Sequence, residues 1–379
     1  MRVFKIKAVG DEHMRNGKTH IVLENRFRKV IQKDKNIQNA YMLIHSEKQG
    51  IHVNMAEGST GSIPAHPEQP YFIASIDKLF TSVLIGSLEE QGKLSYEDAI
   101  ASYFDSELLH NLHIYKGKDY TNEIKIKHLL NHTSGLFGDG LEKSKQGTSM
   151  MDLLLDESPH SWTPHYIIQW SKENLTSHFP PGKGFYYSDI GYYLLILIIE
   201  KITSKPYHEV LKQSLFQPLE MNQTYMIQHS EPVIKKEYPV ADCFLHNKNV
   251  TQDIRLGMDE TGGRIVATTE DLLKFMKALV CYKLLRKESM EKMKDWAKFF
   301  IGIDYGFGIM NFKHIPLLMP KRYSVWGNAG SNGSFMFYHP KLDAYFIGSL
   351  NHFKYQRKGI MLMFKMIDIL LKSKPNKSI

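Results

Sequence analysis

Cysteine is nearly absent: Cys243 and Cys281 are the only two in 379 residues. Two thiols are too few for a disulfide framework in so long a chain, and both read as ordinary buried thiols. Glycine (26) and proline (15) are too sparse for a collagen-like or low-complexity protein. Long apolar runs are also missing. The longest, around Tyr192 to Ile199, is bounded by Asp189 and Glu200 and falls short of the ~20 residues a membrane span needs. The start, Met1 to Gly10, alternates apolar and basic residues and lacks the continuous apolar segment of a secretory signal. A cytoplasmic protein without a membrane span is the expectation. No block of one charge sign stands out either: 48 Lys and Arg are mixed with 40 Asp and Glu. The net charge of +8 is therefore diffuse, and without a nucleic-acid motif it argues against a nucleic-acid partner.

What the chain does have is core material, with 42% hydrophobic and 12% aromatic residues. That composition predicts a folded globular protein and excludes disorder. A strand-like start is followed by a polar stretch from Asp11 to Lys18 and a predicted helix from Leu23 to Gln32. Ala40 to Ser46 and Ile51 to Glu57 read as a hairpin closed at Gly50. After a Gly/Ser/Pro-rich loop, Leu79, Phe80, Val83, Leu84 and Leu88 carry helical spacing that ends at Gln91-Gly92. From about Leu94 to Thr251 the pattern is helical with long loops. Beyond Gly262-Gly263 come a helix from Thr269 to Cys281, strand-like runs at Ser324 to Val325, Ser334 to Tyr338 and Ala344 to Leu350, and an amphipathic helix from Ile360 to Leu371. No internal repeat is evident.

The chemistry starts at Ser75-Ile76-Asp77-Lys78, which opens a helix. Positions i and i+3 share a helical face, so the Lys78 amine approaches the Ser75 hydroxyl. Backbone N–H groups at a helix start are unpaired and hold an oxyanion. Alone, S-x-x-K means little more than a capped helix with an exposed lysine. Downstream, however, stand Tyr187-Ser188-Asp189 and Trp326-Gly327-Asn328-Ala329-Gly330-Ser331. In order and spacing these resemble the three active-site elements of the serine β-lactamase and penicillin-binding protein superfamily, in its class C-like branch. Further segments resemble that branch in the same order. They are Gly92-Lys93-Leu94-Ser95, Ile126 to Leu136, Phe216-Gln217-Pro218-Leu219-Glu220-Met221, Gly262-Gly263 with Thr269 to Phe275, and Tyr305-Gly306-Phe307-Gly308.

The resemblance implies an α+β fold of β-lactamase/transpeptidase type. An antiparallel sheet flanked by helices is built from about 23–93 and 260–371, with a mostly helical lobe at about 94–259 inserted between them. Residues 1–22 are then an N-terminal extension and 372–379 a polar tail. It implies a serine hydrolase acting on an ester, amide or D-peptide. Ser75 is the nucleophile, Lys78 and Tyr187 the proton-handling pair, and the backbone N–H groups of Ser75 and Ser331 form the oxyanion hole. The substrate is a small molecule or peptide, with no cofactor. Alternatives are a penicillin-binding D-Ala-D-Ala carboxypeptidase or weak β-lactamase, and a catalytically silent binding protein on the same fold.

Plain chemistry bears on these roles. Lysine titrates near ~10.4, so Lys78 as a free base needs about 4 kcal/mol of environment to act near neutrality. Asp189 stands where the family most often has Asn. An aspartate facing Lys78 raises the lysine pKa and shifts the weight to Tyr187; otherwise Asp189 caps the following helix. At Asn328, Ala329 and Gly330 the family's usual cation and hydroxyl are missing, which weakens the grip on a substrate carboxylate and argues against penicillin hydrolysis. Gly330 still permits close approach of a strand edge. Arg357 or Lys358 are candidate replacement cations. His128 and His132 share the i, i+4 spacing of zinc ligands, but no acidic partner accompanies them, so no metal is expected. Tyr186, Tyr192 and Tyr193 are expected to serve packing alone.

Overall fold

The computed structural model describes residues 2–138, 140, 142–155, 163–252 and 265–373. Ala40 to Ile44 is apolar at every position, the pattern of a strand covered on both faces. The strand so formed, β1 (Asn39–Ser46), lies inside a nine-stranded antiparallel sheet. It pairs with β2 (Ile51–Thr60), which continues to β3 (Ile63–Pro64). The remaining strands come from the other end of the chain: β4 (Ala297–Phe300), β5 (Ile303–Tyr305), β6 (Met310–Phe312), β7 (Val325–Ala329), β8 (Phe335–His339) and β9 (Ala344–Ser349). The order is β4-β5-β6-β7-β8-β9-β1-β2-β3, and the ends of the chain meet where Tyr41 pairs with Ser349.

Alternation along β1 sends Ala40, Met42 and Ile44 to one layer and Tyr41 and Leu43 to the other. On the first face pack α1 (Arg2–Lys33), through Leu23, Phe27 and Ile31 at four-residue spacing, and α8 (Gln356–Ser373), through Met363, Ile367 and Leu370. On the second lie α2 (Asp77–Glu90) and α7 (Thr269–Val280). The middle of the chain adds α3 (Ile126–Leu130), α4 (Met150–Leu155), α5 (Pro164–Asn174) and α6 (Asp189–Thr203), so α2 sits between sheet and helices with nearly every side chain buried. Among the described residues no helix is long and apolar enough to cross a membrane.

The structure departs from the sequence reading in three places. The strand-like start is helical: α1 runs unbroken from Arg2 to Lys33, across residue 22 and through the polar Asp11 to Lys18 stretch. A helix anchored by a packed segment propagates at one hydrogen bond per residue, and six residues of alternation do not outweigh it. Strands β4, β5 and β6 are short and carry no alternation long enough to register. Cys281 is exposed, because it caps the far end of α7 instead of joining its buried face; Cys243 is buried. Gly262-Gly263 lies outside the described residues.

Candidate active site

Tyr71–Phe72 pairs with Ile265–Ala267, and the chain then turns sharply at Ala74, whose φ of +47° lies in the left-handed region. Non-glycine residues are uncommon there. The turn delivers Ser75 through a short 3-10 segment (Ala74–Ile76) into the start of α2, where helix N–H groups are unpaired. Ser331 reaches the same spot from the end of β7. A Cβ on Gly330 would lie 2.7 Å from Ala74 Cβ and 3.0 Å from the Ile73 carbonyl, so only glycine lets the two segments touch. Two buried ties lock this approach: Ser334 Oγ donates to the Ile73 carbonyl at 2.7 Å, and Asn332 Nδ2 donates to the Phe72 carbonyl at 2.7 Å.

Tyr187-Ser188-Asp189 closes the site from the other side. Ser188, not Asp189, caps α6: its hydroxyl accepts from the Gly191 N–H at 3.3 Å. Asp189 occupies the first helical position, and the positive end of the helix dipole favours its carboxylate. The Asp189 Oδ1 atom meets Lys78 Nζ at 2.7 Å, and the lysine side chain is only 8% exposed. Lys78 Nζ also lies 5.3 Å from the ring centroids of Tyr187 and Tyr192. Ser75 and Tyr187 line the same cavity, and the serine hydroxyl eases ionisation of the phenol.

Charge states follow from these neighbours. Burial alone would depress Lys78, but Asp189, Tyr187, Asp77 and Tyr305 outweigh it and hold the ammonium well above the ordinary lysine value. Burial pushes the Tyr187 phenol well above its usual value, although Lys78 opposes this. Burial, helped by Lys78, holds His132 well below the usual histidine range. Near neutrality the site therefore contains a Lys78 ammonium paired with Asp189, a neutral phenol and a neutral imidazole.

Several contributors escaped sequence reading. Tyr192 donates to the Leu130 carbonyl at 2.8 Å and, with Tyr193, lines the cavity, so these rings do more than pack. His132 accepts from the Ser188 N–H at 3.1 Å and packs, tilted, against the Tyr187 ring at 4.2 Å, so it positions the tyrosine loop. Gly308 abuts the carbonyl of Lys78, which seats the Tyr305-to-Gly308 turn on α2. Burial raises the Asp77 carboxyl to about 6. Its sequence signal was its place inside the Ser75-to-Lys78 turn.

Other residues singled out in the sequence stand outside the cavity lining. Asn328 is buried away from the cavity, where its amide donates to the Gly308 carbonyl at 2.9 Å and the Tyr305 hydroxyl at 3.3 Å. There it braces Tyr305 and the Gly308 turn beside Lys78. Ala329 and Gly330 do not line the cavity either; Ser331 and Asn332 do. Arg357 is exposed on α8 and outside the cavity, and Lys358 is paired with Asp34 at 2.6 Å. The helix turns both away, and Gln356 reaches the cavity wall instead, donating to the Ala329 carbonyl at 3.1 Å.

The Beta-lactamase family profile matches residues 27–362. The chain belongs to the Beta-lactamase family. Penicillin-binding protein 4* of Bacillus subtilis (strain 168) is 29% identical to it over 269 residues, covering 65% of this chain and 53% of that protein. This family member thus spans about half the length of that relative. D-amino acid amidase from Ochrobactrum anthropi SV3, solved with L-phenylalanine, superposes with a TM-score of 0.71 at 20% identity, covering 94% of this chain and 98% of its own. EstCE1, a hydrolase with promiscuous acyltransferase activity, superposes with a TM-score of 0.73 at 17% identity, covering 94% and 98%. These likenesses establish the β-lactamase/transpeptidase fold.

Proposed function

We propose that the chain is a serine hydrolase that cleaves an ester, amide or D-peptide through an acyl-enzyme on Ser75. The observation that carries this reading is the convergence, in one cavity, of Ser75, Tyr187 and a Lys78–Asp189 pair 2.7 Å apart. Ser75 Oγ attacks the carbonyl carbon, and the carbonyl electron pair moves onto oxygen beside the N–H groups of Ser75 and Ser331. The hydroxyl proton goes to Tyr187. Because Tyr187 is already a neutral phenol and Lys78 an ammonium, each passes one proton onward, and Asp189 ends protonated. Lys78 is thus a charged relay and not a free base. Collapse of the intermediate breaks the bond to the leaving group, which takes its proton from Tyr187 as the relay runs back. Water then repeats the sequence on the acyl-enzyme and frees the acid.

The neutral Asn328, turned away from the cavity, leaves β7 without a cation for a substrate carboxylate. This favours simple esters and amides over penicillins and D-Ala-D-Ala peptides. The likeness to the D-amino acid amidase and to EstCE1 supports the same side of the family. The test is hydrolysis of p-nitrophenyl acetate and a D-amino acid anilide. Ser75→Ala abolishes turnover and Tyr187→Phe lowers it about 10²- to 10⁴-fold. A Ser75→Ala variant as active as the native chain overturns the reading.

A further inference from the structure

The cavity that holds Ser75 continues inward, with a volume of about 360 Å³. That lies within the range of small-molecule pockets, about 300–1,000 Å³. Its two ends differ in chemistry. The charged side chains that line it, Asp77, Lys78 and Asp189, all sit on the nucleophile turn or at the start of α6. The other end is formed by α4, α5 and α6 and lined by Met150, Met151, Ile167, Trp170, Leu175 and Ile196, with the hydroxyl-bearing Ser171 beside them. Among the described residues no charged side chain lines that end. Its back wall is itself core: Ile167 is 3% and Ile196 2% exposed.

We propose that this apolar chamber binds the acyl arm of the substrate, an uncharged alkyl or aryl chain of medium length. The inference rests on the acyl-enzyme reading above and names the substrate class of that site. An apolar end suits the acyl arm. The leaving group must depart before water enters, whereas the acyl arm stays attached to Ser75 through both steps. A chamber backed by buried Ile167 and Ile196 shields an apolar chain from water throughout. An ammonium or carboxylate on that arm would lose its hydration with no charged partner among the described residues of the chamber end.

The test uses the full chain and two ester series. One varies the acyl group from acetyl to decanoyl on p-nitrophenol, and the other varies the alcohol on a fixed acetyl group. Transfer of each methylene out of water raises kcat/KM about fourfold along the acyl series until the chamber is full. Trp170→Ala moves the optimum to longer acyl chains and Met151→Trp to shorter ones. Both residues are only partly buried, and circular dichroism checks that each variant is folded. An acyl series flat within twofold overturns the inference, as does a chain-length dependence that follows the alcohol. Labelling of Ser75 by a small fluorophosphonate separates the two levels. Labelling with a flat series defeats the chamber alone, and absence of labelling on the folded chain defeats the hydrolase reading itself.

Discussion

Asp189 is the residue on which the proton economy of the site turns. In a site where burial disfavours the ammonium, its carboxylate 2.7 Å from Lys78 keeps the lysine charged and, on the proposed mechanism, gives the relay an endpoint. Asp189→Asn removes both functions. The expected outcome is a fall in kcat/KM at neutral pH of about 10²- to 10⁴-fold. With its counter-charge gone, the Lys78 pKa drops, so the free amine forms at lower pH than in the native chain. Activity of the variant therefore recovers in part as pH rises. A pH–rate profile measures this, and a variant with native activity at neutral pH contradicts the role of Asp189. The direction of the Lys78 shift was legible from Asp189 in the sequence. The burial of Asn328 was not, because the partners that turn it inward, Tyr305 and Gly308, lie about twenty positions away in sequence.

Elements bring these residues together through contacts at single points. The end of β7 meets the nucleophile turn through Gly330, and Gly330→Ala forces Ala74 and Ile73 apart. Overpacking of this kind costs about 1–3 kcal/mol, and displacement of the Ser331 N–H lowers kcat about 10²- to 10³-fold. Thermal melting and acetyl-ester kinetics check both. A variant with native kcat contradicts the oxyanion role of Ser331.

Helix α3 carries a separate titration. His128 Nδ1 accepts from the Lys125 N–H at 3.1 Å, and burial, then Lys127 and Lys125, bring its imidazole down to about 4. Histidine ordinarily titrates near ~6.5, so the unfolded chain takes up this proton first. Stability present above that pH is therefore lost as pH falls through 6.5 toward 4. His128→Gln keeps an acceptor at the third helical position without the titration. Between pH 7 and 5 the native chain is expected to lose about 1 kcal/mol more than the variant in denaturant melts, a figure discounted for solvent screening. Equal losses contradict the assignment.

The hairpin at Gly50, α2 and α8 were legible because their hydrophobic periods run for several turns or residue pairs. Strands β4 to β6 were not, because three or four residues give no period to read.

At the scale of the whole molecule, one sheet is shared by both ends of the chain, and the cleft lies between that sheet and the middle of the chain. The pairing of Tyr41 with Ser349 makes the N-terminal hairpin and the C-terminal strands one unit. The face covered by α1 and α8 stabilises that unit from behind. Phe27, 2% exposed, is its anchor, so Phe27→Ala is expected to cost about 3–5 kcal/mol. Denaturant melts read this, and a loss below 1 kcal/mol would show that α1 is not part of the fold's core.

The central claim is an activated serine at position 75, and intact-protein mass spectrometry tests it most directly. Native chain and Ser75→Ala are each exposed to a fluorophosphonate and, separately, to a penicillin. The account predicts one fluorophosphonate adduct on the native chain, none on Ser75→Ala, and no lasting penicillin adduct. A folded native chain that takes no fluorophosphonate, or an adduct that survives in Ser75→Ala, would contradict it.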